Sequence, residues 1–209
     1  MTKLIDYIQS MGRIKSAWEI ALERTEGIQM DKEKIKYNSS IEKTRKLAGR
    51  FLSDDEAITR EELETELKAL DPKAVAEALI LTAEANLSLP QEENENTERM
   101  DKIKVLVEIA TDGNPAAMGL MDELIAFLFQ YPKHKKDLLD KMKAQYQPIL
   151  DEKSQKLSEQ YGTEVHLSFE NDKEFMTAAK QNLDRLENQY QATLTNAKAQ
   201  LRDVAGVKH

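Results

Sequence analysis

The chain has 209 residues and a formal charge of −8; 40% of it is apolar and 33% charged, with seven glycines, five prolines and no cysteine. So few turn formers exclude an all-β fold, and the missing thiols exclude disulfides, thiolate metal sites and a cysteine nucleophile. No run approaches the roughly 18 apolar residues that a membrane span requires, and the first residues lack a signal peptide's apolar stretch.

Charge is unevenly spread. Residues 1–52 hold 11 Lys and Arg against 7 Asp and Glu (+4), residues 53–112 hold 6 against 17 (−11), and residues 113–209 hold 13 against 14 (−1). A basic segment beside an acidic one invites attraction within or between chains; the plainer reading is solvated helix faces.

In chain order, Leu4, Ile5, Ile8, Met11, Ile14, Trp18, Ala21 and Leu22 predict an amphipathic helix over about 2–26, weakened at Gly12 and closed at Gly27. Ile14, Trp18 and Leu22 are candidate anchors for a partner's groove, the alternative for Trp18 being a place in the core. A second helix runs from Asp31 to about Leu52. Its apolar face is sparse (Ile35, Ile41, Leu47, Ala48, Phe51), and Lys32, Lys34, Lys36, Lys43, Arg45, Lys46 and Arg50 make it basic.

Thr59 and Glu62 have the spacing of a capping box, and Asp71-Pro72 that of a cap followed by a first helical residue. The helix after Pro72, with Val75, Ala78, Leu79, Ile80, Ala83 and Leu87, is apolar on more than one side and is the predicted centre of the globular part. Residues 91–97 read as a solvated loop without the spacing of a calcium loop. Met100, Ile103, Leu106, Val107 and Ala110 mark another helix, stopped by the turn Asp112-Gly113-Asn114-Pro115. The apolar stretch after it, Leu120 to Tyr131, is too short for a bilayer; it reads as a core helix or an oligomer interface.

The last quarter reads as two long helices folded back on each other. Leu138, Met142, Tyr146, Ile149, Leu150, Leu157 and Tyr161 form one stripe, within which Pro148 should kink or divide the helix. After Gly162, residues 164–169 alternate as a short extended segment does, paired with a copy in another chain or laid along the helices as an irregular link. Phe175, Ala179, Leu183, Leu186, Tyr190, Leu194, Ala197, Leu201 and Val204 form the second stripe. Leu183, Leu186, Tyr190, Leu194 and Leu201 are its candidate hairpin or dimer seam.

The segment Met11 to Ile28, with Ile14-Lys15-Ser16-Ala17 leading into Glu19-Ile20-Ala21-Leu22-Glu23-Arg24-Thr25, resembles the opening of a family of bacterial helical proteins of unknown function. Leu47-Ala48-Gly49-Arg50-Phe51-Leu52, Asn86-Leu87-Ser88-Leu89-Pro90, Glu174-Phe175, Gln181-Asn182-Leu183 and Gln189-Tyr190 are similar to later parts of it. Residues 1–10 fall outside the resemblance, and Met11 is the alternative natural start. The resemblance implies a helical, cytoplasmic protein and brings no activity, substrate or cofactor.

No nucleophile-and-base pattern stands out. His134, His166 and His209 are scattered, none with a zinc-site spacing, and glycine-rich phosphate loops and inward Glu-x-x-His pairs are missing. The expectation is an all-α protein in three parts: an N-terminal amphipathic helix (1–28), a helical core (29–131) and a C-terminal, antiparallel, coiled-coil-like hairpin (132–209). Its expected role is that of a non-enzymatic cytoplasmic scaffold, adaptor or assembly factor without metal or cofactor, with a protein partner and a homo-oligomer as the candidate assemblies. The alternative is a nucleic-acid- or ribosome-associated protein that uses the basic helix 31–52.

Overall fold

The computed structural model describes residues 17–55, 57–92 and 97–207, with side chains from Asp31 onward. The described residues form seven α-helices and no strand: α1 (Ala17–Leu52), α2 (Arg60–Leu67), α3 (Pro72–Asn86), α4 (Thr97–Ala110), α5 (Pro115–Leu128), α6 (Tyr131–Tyr161) and α7 (Lys173–Ala205). A 3₁₀ turn, Phe169–Asn171, precedes α7. The fold is all-α, and no helix among the described residues is long and apolar enough to cross a membrane.

Local chemistry sets most of the boundaries. Thr59 Oγ1 accepts from the Glu62 amide while Glu62 Oε2 accepts from the Thr59 amide, which closes the capping box of α2. Asp71 caps α3 by accepting from the amides of Lys73 and Ala74, both at 3.0 Å. Asn114 caps α5 through the Ala116 amide. At the end of α4 the Gly113 amide donates to the Glu108 carbonyl at 2.8 Å, and Asp112 adopts the left-handed conformation (φ 50°).

Gly27 does not close a helix, contrary to the sequence expectation: α1 passes through it as one rod of 36 residues. A glycine inside a helix costs only about 1 kcal/mol relative to alanine, and good helix formers stand on both sides.

The core is built from the C-terminal half of α1 with α3, α4, α5 and the last third of α7. Leu47, Ala48 and Phe51 of α1 meet Leu79, Ile80 and Ala83 of α3, Ile103, Leu106 and Val107 of α4, Met121, Leu124 and Leu128 of α5, and Leu194 and Leu201 of α7. The helix after Pro72 is central, as its two-sided apolar pattern predicts: Ala78, Leu79, Ile80 and Ala83 are fully buried.

Pair contacts give the directions. Ser40 of α1 accepts from the Asp71 amide where α3 begins, and Asp54, just past α1, lies near Lys102 in the first turns of α4. Arg99 at the start of α4 donates to Asn86 at the end of α3. The two helices α1 and α3 therefore run parallel and α4 antiparallel to them, so the N-terminal half of α1 leaves the core at the pole where α3 starts. Arg202 and Lys198 of α7 reach Glu84 and Leu87 at the opposite end of α3. The first half of α7, and α6 with it, projects from that second pole.

Candidate partner-binding surface on the C-terminal helix pair

The residue pairs between α6 and α7 run in opposite directions: His134 meets Tyr190, and Tyr146 meets Phe175. At the base, Tyr190 is buried, stacked on Phe127 (centroids 4.4 Å apart) and edge-on to Tyr131 (5.1 Å). Its hydroxyl and His134 Nδ1 share a 2.6 Å hydrogen bond. Burial raises the Tyr190 phenol above its ordinary value.

Further out, the carboxylate of Asp172 is 6% exposed and joins α6 to the start of α7. It caps α7 by accepting from the Phe175 amide (2.9 Å), accepts from Lys153 Nζ (2.7 Å), and takes the Tyr146 hydroxyl at 3.0 Å. Lys153 donates also to Glu174 (2.6 Å) and to the Tyr146 oxygen (2.7 Å). The Lys153 ammonium, and after it the Phe175 amide, hold the Asp172 carboxyl down to about 2, while Asp172 and Glu174 raise the pKa of Lys153. Every charge in this latch is met by another, so it fixes α6 against the start of α7.

Between the helices, residues 163–168 contain no strand; they lie along α6 as an irregular link. Ser158 Oγ accepts from the Val165 amide (2.8 Å) and Ser154 Oγ from the Leu167 amide (3.0 Å), each serine donating to a carbonyl of its own helix. The spacings agree: serines four apart on a helix are separated by about 6 Å, and amides two apart on an extended chain by about 6.6 Å. Val165 and Leu167 turn inward while Glu164 and His166 stay exposed.

Pro148 neither divides nor ends α6, which is continuous from Tyr131 to Tyr161. It sits exposed beside exposed Ala144, whose carbonyl is free to tilt toward water where the proline ring displaces it.

The five predicted seam residues fall into three environments. Leu183 and Leu186 are half-buried on the stretch of α7 that runs beside α6; Tyr190 occupies the aromatic junction; Leu194 and Leu201 are buried in the common core, to whose buried cluster α6 contributes nothing. Of the predicted anchors, Ile14 lies outside the described residues, as do the side chains of Trp18 and Leu22. Sequence reasoning missed the two devices that fasten α7: the Asp172 latch, and Glu84, which is 4% exposed and accepts from Arg202 Nε at 2.7 Å. Lys198 adds a bond to the Leu87 carbonyl (2.8 Å), its pKa lowered by burial. The aspartate N-cap before Phe175 was the only visible signal.

Among the described residues, α7 and the link are the main neighbours of α6 along most of its 31 residues. Only Tyr131, Pro132 and Leu150 are fully buried on it; Leu138, Leu139, Met142 and Leu157 are half-buried, and Ile149 and, on α7, Met176 are 45% and 48% exposed. The helix pair thus presents a broken apolar flank about 46 Å long.

A cleft of about 600 Å³ between α2, the start of α3 and the end of α4 has a floor of Leu67, Leu70, Val75 and Ile109. Arg60 forks onto Glu108 (2.9 and 3.1 Å) and reaches Glu64 at its rim, lowering the pKa of Glu108. No serine, threonine, histidine or tyrosine lines it. Among the described residues no group of three metal-ligating side chains converges.

No curated protein and no solved structure matches the chain. A family model described as a family of unknown function, DUF6657, matches residues 62–203, from the first turn of α2 nearly to the end of α7. That span takes in the latch, the apolar flank and all of the core but the contribution of α1, Ile58 and Val207, and the chain belongs to this family.

Proposed function

We propose that the chain is a non-enzymatic, cytoplasmic helical scaffold or adaptor that works by protein–protein contact through the α6–α7 pair. The observation that carries this reading is the apolar flank: Leu138, Leu139, Met142, Leu157, Leu183 and Leu186 are left half-buried on a rigidly latched pair that projects from a well-packed core. A helix pair fastened at both ends costs little to order on binding, and a half-open stripe accepts an amphipathic helix from a partner.

The test compares retained proteins, not mere capture. Wild-type chain and the double variant Leu139→Lys with Leu186→Lys are used as baits in native lysate, with thermal melts alongside. The reading expects a partner held by wild type and lost by the variant at nearly unchanged melting temperature. Identical retention by both baits overturns it.

A second reading has one observation in its favour: the seven basic residues between Lys32 and Arg50 are all exposed. Nucleic acid or ribosome binding through them predicts affinity that falls steeply with salt and vanishes in Lys43→Glu with Arg45→Glu and Lys46→Glu.

A further inference from the structure

One side of α7 is empty of charge. Asn182, Leu186, Gln189, Thr193, Asn196 and Gln200 follow one another in steps of three or four, so they share that side of the helix, in a chain whose residues are 33% charged. The last four are exposed, and Thr193, Asn196 and Gln200 line a hollow of about 340 Å³ with Leu120, Glu123 and Phe127 of α5. Asn182 gives one hydrogen to the Ala178 carbonyl (2.8 Å) and keeps its oxygen free. Residues 113–130 and 188–201 together hold only three charged side chains, Asp122, Glu123 and Lys198. Asp122 is paired with Lys104, and Lys198 donates to the Leu87 carbonyl; among the described residues Glu123 has no ion pair.

Such a surface suits a copy of itself. A charge near a two-fold axis faces its own like, whereas an amide both donates and accepts and is complementary to an identical amide. The cores of interfaces are likewise depleted of charged residues. Direction follows from what lies beside α7. Along its first half runs α6, where Tyr146 meets Phe175; along its second half, across the hollow, runs α5. In an antiparallel pair of α7 helices, the first half of each α6 therefore lies over α5 of the other copy. Residues 131–145 carry five lysines and two aspartates (+3), and α5 carries two acidic residues and no basic one (−2), so this crossing joins opposite charges. A parallel pair keeps α6 and the other copy's α5 at opposite ends.

We infer that two copies of this chain associate through the uncharged side of α7, antiparallel about a two-fold axis at Gln189. In that register amides meet amides: Asn182 of one copy faces Asn196 of the other, and Gln189 faces its own copy. Leu186 falls beside the methyl of Thr193. The contact extends past the flank assigned to a partner's helix, onto Gln189, Asn196 and α5, and it needs no foreign partner.

Sedimentation of the purified full chain tests it, with thermal melts of every variant alongside. A dimer is expected. Gln189→Glu and Gln189→Lys, both at an exposed position, each weaken it by roughly tenfold or more, because like charges then meet across the axis. Mixing the two variants in equal amounts restores association. Because the chain has no cysteine, single replacements report direction: Gln189→Cys is linked on mild oxidation, whereas Gln200→Cys, about 33 Å from its copy in this register, is not. A chain monomeric at every concentration, a dimer indifferent to both charged variants, a mixture that does not recover, or linkage through Gln200→Cys as ready as through Gln189→Cys each overturns the inference. A monomer that still holds a lysate partner through Leu139 and Leu186 overturns this inference alone and leaves the flank reading standing.

Discussion

The two ends of α7 make a controlled comparison, since one helix with one unbroken apolar period passes through two surroundings. Toward its C-terminus it meets α3 and α5, and Leu194 and Leu201 are 1% and 0% exposed. Toward its N-terminus it meets α6 and a six-residue link, and Leu183 and Leu186 stay half-buried. Periodicity decides which side of a helix is apolar; the number of neighbours decides how far that side is hidden. The proximal end is held by packing. The distal end is held by the hydrogen bonds of Asp172, Lys153 and two serines and by one aromatic contact, Phe175 against Tyr146 and Phe169.

The sharpest way to break this contrast is to cut the same side chain at both ends. Leu201→Ala should destabilise by about 3 kcal/mol, the cost of a cavity in a site with nowhere to collapse, whereas Leu186→Ala should lose about 1 kcal/mol or less. Urea unfolding of the two variants decides it, and equal losses would dissolve the distinction.

Next comes Glu84→Ala, which leaves the Arg202 guanidinium without its partner beside the core. About 2 kcal/mol is expected, below the usual cost of a broken buried pair because Arg202 is one-third exposed. The variant's loss should persist in salt that abolishes surface pairs.

Thr44→Val tests the core from the other side. Thr44 Oγ1 is buried without a hydrogen-bond partner, so an isosteric methyl should stabilise by about 1 kcal/mol, read as a raised melting temperature.

The smallest effect is local and depends on pH. Asp172 is depressed to about 2 in the folded chain, so its contribution is complete above the unfolded aspartate value of about 3.9. It fades as pH falls from there through about 2. Asp172→Asn keeps a capping side chain but loses the charge. Amide exchange at Phe175 should therefore be faster in the variant near neutrality, and the difference should narrow in acid. A constant difference across that range would place the latch's strength elsewhere.

Much of the fold could be read from residue patterns because its signals are local. The capping pairs at Thr59 and Asp71, the two-sided helix after Pro72 and the turn at Asp112–Asn114 each depend on neighbours within a few positions. What escaped was long-range or permissive. Gly27 is a helix end only where nothing continues the rod, and of the two outcomes expected at Pro148, a kink or a division, the division does not occur. The pairing of Glu84 with Arg202 spans 118 positions, beyond any periodic signal. For the candidate surface, the stripe of α7 announced Leu183 and Leu186 but could not say that Leu194 and Leu201 belong elsewhere, since all four share one helical period.

The serine rungs under the link make it a ruler. Deleting one residue between Gly162 and Val165 would slide the extended chain by half its repeat, so that an imidazole and a hydroxyl turned inward and a valine and a leucine faced water. Removing two residues preserves that alternation. Length variation among relatives should therefore come in even steps at this bend, and an odd step should be accompanied by replacement of Ser154 or Ser158.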